Sequence, residues 1–314
     1  MRSLEDYFAY DRLPIWTERD GYIEVELIAP PKAEFYCDPH LWLGLKWWGE
    51  GATVQTIPTL VRTIHGVGLA MNDAWTVASW SEWFASLSLE ERYRPITVLH
   101  VDDHQDLMSP RLFKGDAGLI DAITMQSVRL DEPESVRRAI KSGAIGMGSF
   151  FALLVHDTPE VHVRHLYAEP PDLDEQFLEA RFAADTLLNP DARRLEIGLP
   201  AVSGQSTYSR HHDPMTWAAA PEGHHVLLHI DMDYFNNRYD GDSDWMRRNR
   251  IHDPSPTKVR GLIDNMLQAL SSSLGMERLD DIFIGVSPGF FPADLWASSL
   301  ECLLDVLEKE SRFV

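Results

Sequence analysis

Cysteine is nearly absent from this sequence: Cys37 and Cys302 are the whole complement, and no CxxC pair occurs. That argues against a disulfide framework and for a reducing cytoplasm. Positive charge is also scarce, with 28 Lys and Arg against 49 Asp and Glu and a formal net charge of -21. Nucleic acid and anionic membranes are therefore poor partners, whereas a cationic substrate would be drawn in, although much of the charge can serve solubility alone. No apolar run approaches transmembrane length. Residues 1–20 are acidic and aromatic rather than basic and then apolar, so no signal peptide is expected. Internal repeats and low-complexity linkers are missing too, and the chain reads as one domain over 1–314, with 1–60 as an N-terminal extension packed on it. A hydrophobic content of 44%, with ten tryptophans and thirteen phenylalanines, is enough for the buried core of a large α/β domain.

What is present is concentrated in Ile96-Thr97-Val98-Leu99-His100-Val101-Asp102-Asp103-His104-Gln105-Asp106. The run after Pro95 is β-branched and aliphatic, as a buried strand requires, and then turns abruptly acidic. Asp102, His104 and Asp106 alternate, which in extended backbone places all three on one side. Unpaired carboxylates so close would repel one another and lose hydration; a divalent cation removes that cost. Mixed imidazole and carboxylate ligands suit Mn, Fe or Zn better than Ca. A second apolar run, His224 to Ile230, ends in Asp231-Met232-Asp233, with His229 one step below. Five ligands at the carboxyl ends of two parallel strands exceed the need of one tetrahedral ion and suit two ions sharing bridging carboxylates. Open α/β sheets carry their sites at that end. A lone Asp-x-Asp also occurs in solvated turns and aspartyl-phosphate enzymes; the two motifs together are more specific.

Elsewhere, Tyr22 to Ile28 alternates as a strand that Pro30-Pro31 stops, and Leu41 to Trp48 is rich in tryptophan, read as core packing or as a substrate-facing aromatic wall. Asn72 or Asp73 can cap the helix whose apolar positions are Trp75, Ala78, Trp80, Trp83 and Phe84. Residues 107–118 read as a loop, 133–140 as a helix closed by Gly143, 144–151 as an apolar strand and 161–167 as another. His162 and His165 cannot share one face of that last strand. Residues 177–188 read as an amphipathic helix ended by Asn189-Pro190, and His211-His212-Asp213 as a solvated loop. Asp240, Asp242 and Asp244 are spaced as in a calcium loop, but no glutamate follows at the EF-hand interval. Helices are expected over 257–274 and 293–310, and a strand over 281–286 that turns beside the site at Ser287 to Pro292.

These residues carry a resemblance. Val101-Asp102-Asp103-His104-Gln105-Asp106 resembles the Asp-Ala-His-x-Asp motif of arginases and other ureohydrolases, and Ile230-Asp231-Met232-Asp233 resembles their Phe-Asp-x-Asp motif. The flanks, with Tyr234-Phe235-Asn236-Asn237-Arg238 and Val286-Ser287-Pro288-Gly289-Phe290-Phe291-Pro292, are similar to peptide arginases of ribosomal natural-product pathways. The resemblance spans roughly residues 60–300. It implies a three-layer α/β/α sandwich around a mainly parallel sheet, as in arginases and deacetylases. It also implies two manganese ions and hydrolysis of arginine side chains in a precursor peptide to ornithine and urea. Asp102 and Asp231 would bridge the ions, Asp106 would bind one, and His104 and Asp233 the other. A water acidified by both metals supplies hydroxide to the guanidinium carbon.

Two departures stand out. Ureohydrolases carry a further ligand, a histidine in a Gly-Gly-Asp-His-Ser motif; the candidate here is Asp73, with His65 as the alternative. Arginases place a guanidinium-binding glutamate before Val-Asn-Pro, where this chain has Gly285, so the acidic anchor must come from another loop or the substrate is not a guanidine. Glycine there also leaves room for a bulkier chain to approach. Asp103, His100 and His229 are the candidate catalytic side chains. The two histidines share the parity of the ligands on their strands and read best as orienting groups or satisfied buried imidazoles. The alternatives are a free-arginine or agmatine-type ureohydrolase, a single-zinc deacetylase-like amide hydrolase, a phosphatase with Asp231 as nucleophile, and a non-catalytic, metal-containing peptide-binding protein.

Overall fold

A computed structural model describes residues 13–28, 34–116, 118–169, 173–184 and 192–310. Strands β1 (Leu13–Arg19) and β2 (Tyr22–Ile28) form an antiparallel hairpin; Pro30-Pro31 lies outside the described residues. β3 (Val61–Ile64) and β4 (Val67–Ala70) form a second hairpin, and β4 joins the central sheet. The expected strand after Pro95 is β5 (Ile96–Val101), buried at every position. β6 (Leu112–Gly115), β7 (Gly118–Asp121) and β8 (Ser127–Val128) follow, then β9 (Val161–Leu166), β10 (Leu173–Phe177), β11 (Glu179–Ala184) and β12 (Arg193–Gly198). β13 (Thr207–His211), β14 (His225–Asp231) and β15 (Asp281–Gly285) complete the set.

The central sheet has eight strands in the order β10-β13-β9-β5-β14-β15-β4-β3. It is parallel from β13 to β4 and antiparallel at both edges, so the protein is mixed α/β with a large, mainly parallel sheet. Strand alternation divides its apolar residues between two clusters. Leu99, Val101, Leu228, Ile230, Ile282 and Ile284 pack with α1 (Leu41–Trp48), α6 (Pro256–Ala269) and α7 (Trp296–Glu310). Ile96, Val98, Leu227 and Phe283 pack with α2 (Thr76–Ser86), α3 (Pro133–Ser142) and α4 (Phe151–Asp157). Helix α5 (Pro214–Trp217) is capped by the Asp213 side chain, and His211 ends β13, so the His-His-Asp stretch is not a free loop. Among the described residues no helix is long and apolar enough to cross a membrane, and both cysteines are free.

One face of the tryptophan-rich stretch is core packing, while Trp42 on the other face is exposed. α1 buries Trp48, and Gly44 lies so close to Trp296 that a Cβ there would stand 2.2 Å from its ring.

Three expectations are corrected. Residues 107–118 contain β6, which belongs to a five-stranded antiparallel sheet of order β11-β12-β6-β7-β8. Of the expected helix over 177–188, the described residues 177–184 are instead the end of β10 and β11, and Leu178, Ala180 and Phe182, every second residue, pack into the core. Asn189-Pro190 lies outside the described residues. Residues 144–151 form no strand; Gly148 is left-handed, with φ 68, and the run leads into α4. An apolar run specifies burial, and only a pairing partner makes it a strand.

Candidate metal centre

β5 and β14 are adjacent, with His100 opposite His229, and β9 places His165 opposite His100 on the other side. Three fully buried imidazoles thus form a row, with ring centroids 4.5 and 5.1 Å apart. Their hydrogen bonds fix their protons. His100 Nε2 faces the His104 carbonyl oxygen at 3.2 Å and must donate, which leaves its Nδ1 to accept from His229 Nδ1 at 2.9 Å. His229 then presents a bare Nε2, which has no partner among the described residues. His165 donates to the Asp102 carbonyl at 2.9 Å and accepts from the Tyr208 hydroxyl at 2.6 Å. Burial keeps the three neutral: His100 lies well below its usual range, and His165 and His229 are pushed down to about 3.

Above this row the backbone leaves strand geometry. Residues 102–106 run as a loop that ends with Asp106 at φ 53, and Met232–Tyr234 is a 3₁₀ turn after Asp231. Strand alternation is therefore not what gathers the ligands. Alternate residues of a strand stand roughly 7 Å apart, too far to share one ion, and turns shorten that span.

Asp102 is the hub. Its Oδ1 accepts from the His104 backbone N–H at 2.5 Å and lies 3.5 Å from His104 Nδ1, while its Oδ2 has no partner among the described residues. Ligand-type atoms of His100, Asp102, Asp106 and His229 lie within 4.8 Å of one another, as do those of Asp102, His104 and Asp233. Only Asp102 belongs to both groups. His104 Nδ1 is 2.9 Å from Asp233 Oδ2, and its Nε2 is 3.2 Å from Asp240 Oδ1. Burial opposes charge on this imidazole, but Asp233, Asp102 and Asp240 overcome it and hold the ring protonated. Asp231 and Asp73 line the same cleft but belong to neither group. Asp231 accepts from Ser287 Oγ at 2.6 Å and from the Asp233 N–H at 3.1 Å.

Asn72, not Asp73, is the side-chain cap, but of the 3₁₀ turn Asp73–Trp75 that leads into α2, accepting from the Ala74 N–H at 2.9 Å. Asp73 is buried; its Oδ2 accepts from Gly148 N–H at 3.3 Å, and its Oδ1 has no partner among the described residues. His65 lies in the β3–β4 turn at the opposite sheet end, 2.9 Å from Glu308, and is removed from the candidate set. Asp103 stands aside: its N–H donates to Asp233 Oδ1 at 3.1 Å, and its carboxylate accepts from Asn237 at 2.9 Å.

The two departures turn out to be linked. A Cβ on Gly285 would lie 3.2 Å from Asp73 Cβ and 3.6 Å from Asp231 Oδ2. A long acidic side chain at position 285 would therefore compete with Asp73 for the same space. Glycine admits Asp73 rather than leaving an open approach for substrate.

The cleft holds about 560 Å³, and no Lys or Arg is among its described lining residues. Burial, reinforced by neighbouring carboxylates, raises Asp102, Asp106 and Asp231 well above the usual range and Asp73 to about 6. Unpartnered buried oxygens on Asp73, Asp102 and Asp106, beside the bare His229 nitrogen, are costly in a protein interior without a cation. The donor set fits one: in the cluster of His100, Asp102, Asp106 and His229, the last three offer unpartnered ligand atoms that could hold a metal ion, while both His100 nitrogens are hydrogen-bonded beside them.

If Asp73 is also a ligand, Asp73→Asn weakens one ion selectively and lowers turnover, while the metal-free protein becomes more stable because a buried carboxylate is gone. Metal titration beside denaturant unfolding in chelator reads both; unchanged metal stoichiometry and rate would leave Asp73 a structural residue.

Several site residues escaped sequence reasoning. His165 was discounted as half of a His162 pair, and Asp240 belongs to the acidic run weighed as a calcium loop. Ser287 lay in a recognised turn, but nothing in its neighbours marks its hydroxyl as a partner of Asp231. No family model matches this sequence, and no curated protein matches it.

Proposed function

We propose that this chain is an arginase-like metallohydrolase, a three-layer α/β/α sandwich that converts arginine side chains within a peptide to ornithine and releases urea. The observation that carries this reading is the meeting of Asp73, His104, Asp106, Asp231 and Asp233 along one cleft, with Asp102 buried against His104 and Asp106, and no Lys or Arg among the described lining residues. Two manganese ions would be held there by carboxylates and an imidazole drawn from Asp73, Asp102, His104, Asp106, Asp231 and Asp233. When bound, the ions supply Lewis acidity and a water acidic enough to serve as nucleophile near neutral pH.

The chain's own residues do the rest. Acidic lining and a net charge of -21 attract the guanidinium. Leu107, Met108, Met147 and Phe290 form an apolar wall suited to the methylenes of an arginine side chain. Ser287 orients Asp231, and Asp240 fixes the His104 ring from its far nitrogen. The guanidinium carbon gains the water oxygen, its bond to the side-chain nitrogen breaks, and that nitrogen leaves as the protonated amine of ornithine. The peptide preference rests on the flanking resemblance and the charge, and a cytoplasmic setting on the scarcity of cysteine.

Incubating manganese-loaded protein with an arginine-containing peptide and with free arginine tests the reading. Urea should appear in step with a peptide mass loss equal to arginine minus ornithine, and free arginine should react poorly. Efficient turnover of free arginine with the peptide untouched makes this an ordinary ureohydrolase. No urea from either favours a metal-containing peptide-binding protein.

A further inference from the structure

We infer that Glu34 is the specificity-determining carboxylate that pairs with the cationic end of the substrate side chain, taking the part that Gly285 cannot play. This rests on the proposed guanidinium substrate. Glu34, Asp73, Asp106, Asp231 and Asp233 are the acidic residues lining the cleft, and all but Glu34 belong to the proposed metal centre. The space over Gly285 is filled by Asp73, so the floor of the site has no place for an acidic anchor. One must reach in from the rim, and Glu34 comes from the N-terminal segment, outside the sheet.

Its position is built. Glu34 opens a 3₁₀ turn, Glu34–Cys37, whose backbone lies directly on Gly289 of the Ser287–Pro292 turn. A Cβ at Gly289 would stand 2.4 Å from the Glu34 carbonyl oxygen, and Cys37 Sγ donates to the Gly289 carbonyl at 3.2 Å. Gly289 has φ 89, so glycine is required there by conformation as well as by contact. Gly241, at φ 63, makes the matching approach from the other side: a Cβ on it would meet Phe290 Cζ at 3.0 Å and Glu34 Cγ at 3.2 Å. The Gly241 N–H donates to the Gly289 carbonyl at 2.9 Å and ties the two glycines together. Glu34 and Phe290 therefore stand side by side at the cleft. An aromatic face and a carboxylate in that arrangement suit the stem and head of a long cationic side chain. Gly289 meets the Glu34 backbone and Gly241 its Cβ and Cγ, so Glu34→Gln, which keeps all of these atoms, should leave the turn and the metal ligands in place.

Calorimetry on the full, manganese-loaded chain tests this with two peptides that differ at one position, lysine in one and norleucine in the other. Neither has a guanidinium carbon to hydrolyse, so binding is read without turnover. The wild type should bind the lysine peptide about tenfold tighter, as a desolvated charge pair permits. Glu34→Gln should bring the two within about twofold, and Glu34→Asp should fall between, with manganese content and melting temperature unchanged in both variants. In the same proteins, Glu34→Gln should raise KM for an arginine peptide while moving kcat little. Retention of the tenfold preference by Glu34→Gln, or its absence from the wild type, overturns the assignment. Urea release is scored separately: loss of the preference in Glu34→Gln without urea from any protein supports the Glu34 pairing while the hydrolase reading falls. Urea release with the preference intact in Glu34→Gln does the reverse.

Discussion

Asp102→Ala is expected to empty the site of manganese and to bring urea release to background. Asp102 is the one residue common to both ligand groups, so its removal takes a donor from each ion, whereas Asp106→Ala takes a donor from one. The loss should exceed the roughly 10–100-fold cost of deleting an outer-shell partner. Folding should not suffer in parallel. Burial and the charges of Asp233 and Asp231 already hold the Asp102 carboxyl well above its usual range, so metal-free protein gains by losing it. The expected pattern is therefore no bound metal, no activity, and a chelated protein at least as resistant to urea as the wild type. Metal analysis after desalting and denaturant unfolding measure these directly. Full manganese retention in Asp102→Ala, or a single tightly held zinc in active wild-type protein, is incompatible with a shared binuclear centre.

Metal-free protein is expected to lose stability as pH rises above 6.5, while below 6.5 two sets of buried groups oppose one another. The buried histidines favour higher pH. His165 and His229 sit at about 3 in the folded chain against an ordinary 6.5, so the unfolded chain binds protons first as pH falls below 6.5. Each contributes on the order of 4 kcal/mol that disappears between pH 6.5 and 3. His100 moves in the same direction, its ring disfavoured as a cation first by burial. Asp73, raised by burial to about 6, opposes them: the stability its folded-state proton contributes is lost as pH rises from about 4 through 6, and that loss is complete by about 7.

From about pH 4 upward Asp102, Asp106 and Asp231, raised by burial and by neighbouring carboxylates, likewise hold protons that the unfolded chain has released, and above 6.5 the histidines no longer offset them. His104, kept protonated by its carboxylates against burial, acts in the same sense above 6.5. Stability therefore falls as pH rises through the folded-state values. Manganese, binding the ionised carboxylates of the folded chain alone, should remove this alkaline limb and add about 4 kcal/mol at roughly a thousand times its dissociation constant. Urea midpoints at pH 5, 6.5 and 8.5, in chelator and in manganese, decide it. A chelated protein that gains stability from 6.5 to 8.5, or one indifferent to manganese at 8.5, would show that these carboxylates are not buried together.

The sequence alone determined the strands that carry the ligands. Burial on both faces makes Ile96–Val101 and the run to Ile230 continuously apolar, and a continuous apolar run of strand length ending in acid is readable without a partner. Helix Pro133–Ser142 was equally legible, since Pro133 and Gly143 mark its ends by backbone chemistry that depends on nothing distant. Tertiary structure decided where the chain turns and what meets what. The role of Asp73 follows from β4 pairing with β15, which brings it over Gly285; Asn72, its neighbour, is the cap, and no local preference separates the two. Ala180 and Phe182 belong to a strand because β12 offers a partner to pair with, against a pattern that also suits a helix. The row of His165, His100 and His229 depends on register across three strands, and Glu34 reaches the cleft through two glycines more than two hundred residues away. Period and capping are properties of neighbours along the chain, whereas a shared cleft is set by packing between segments that the chain keeps far apart.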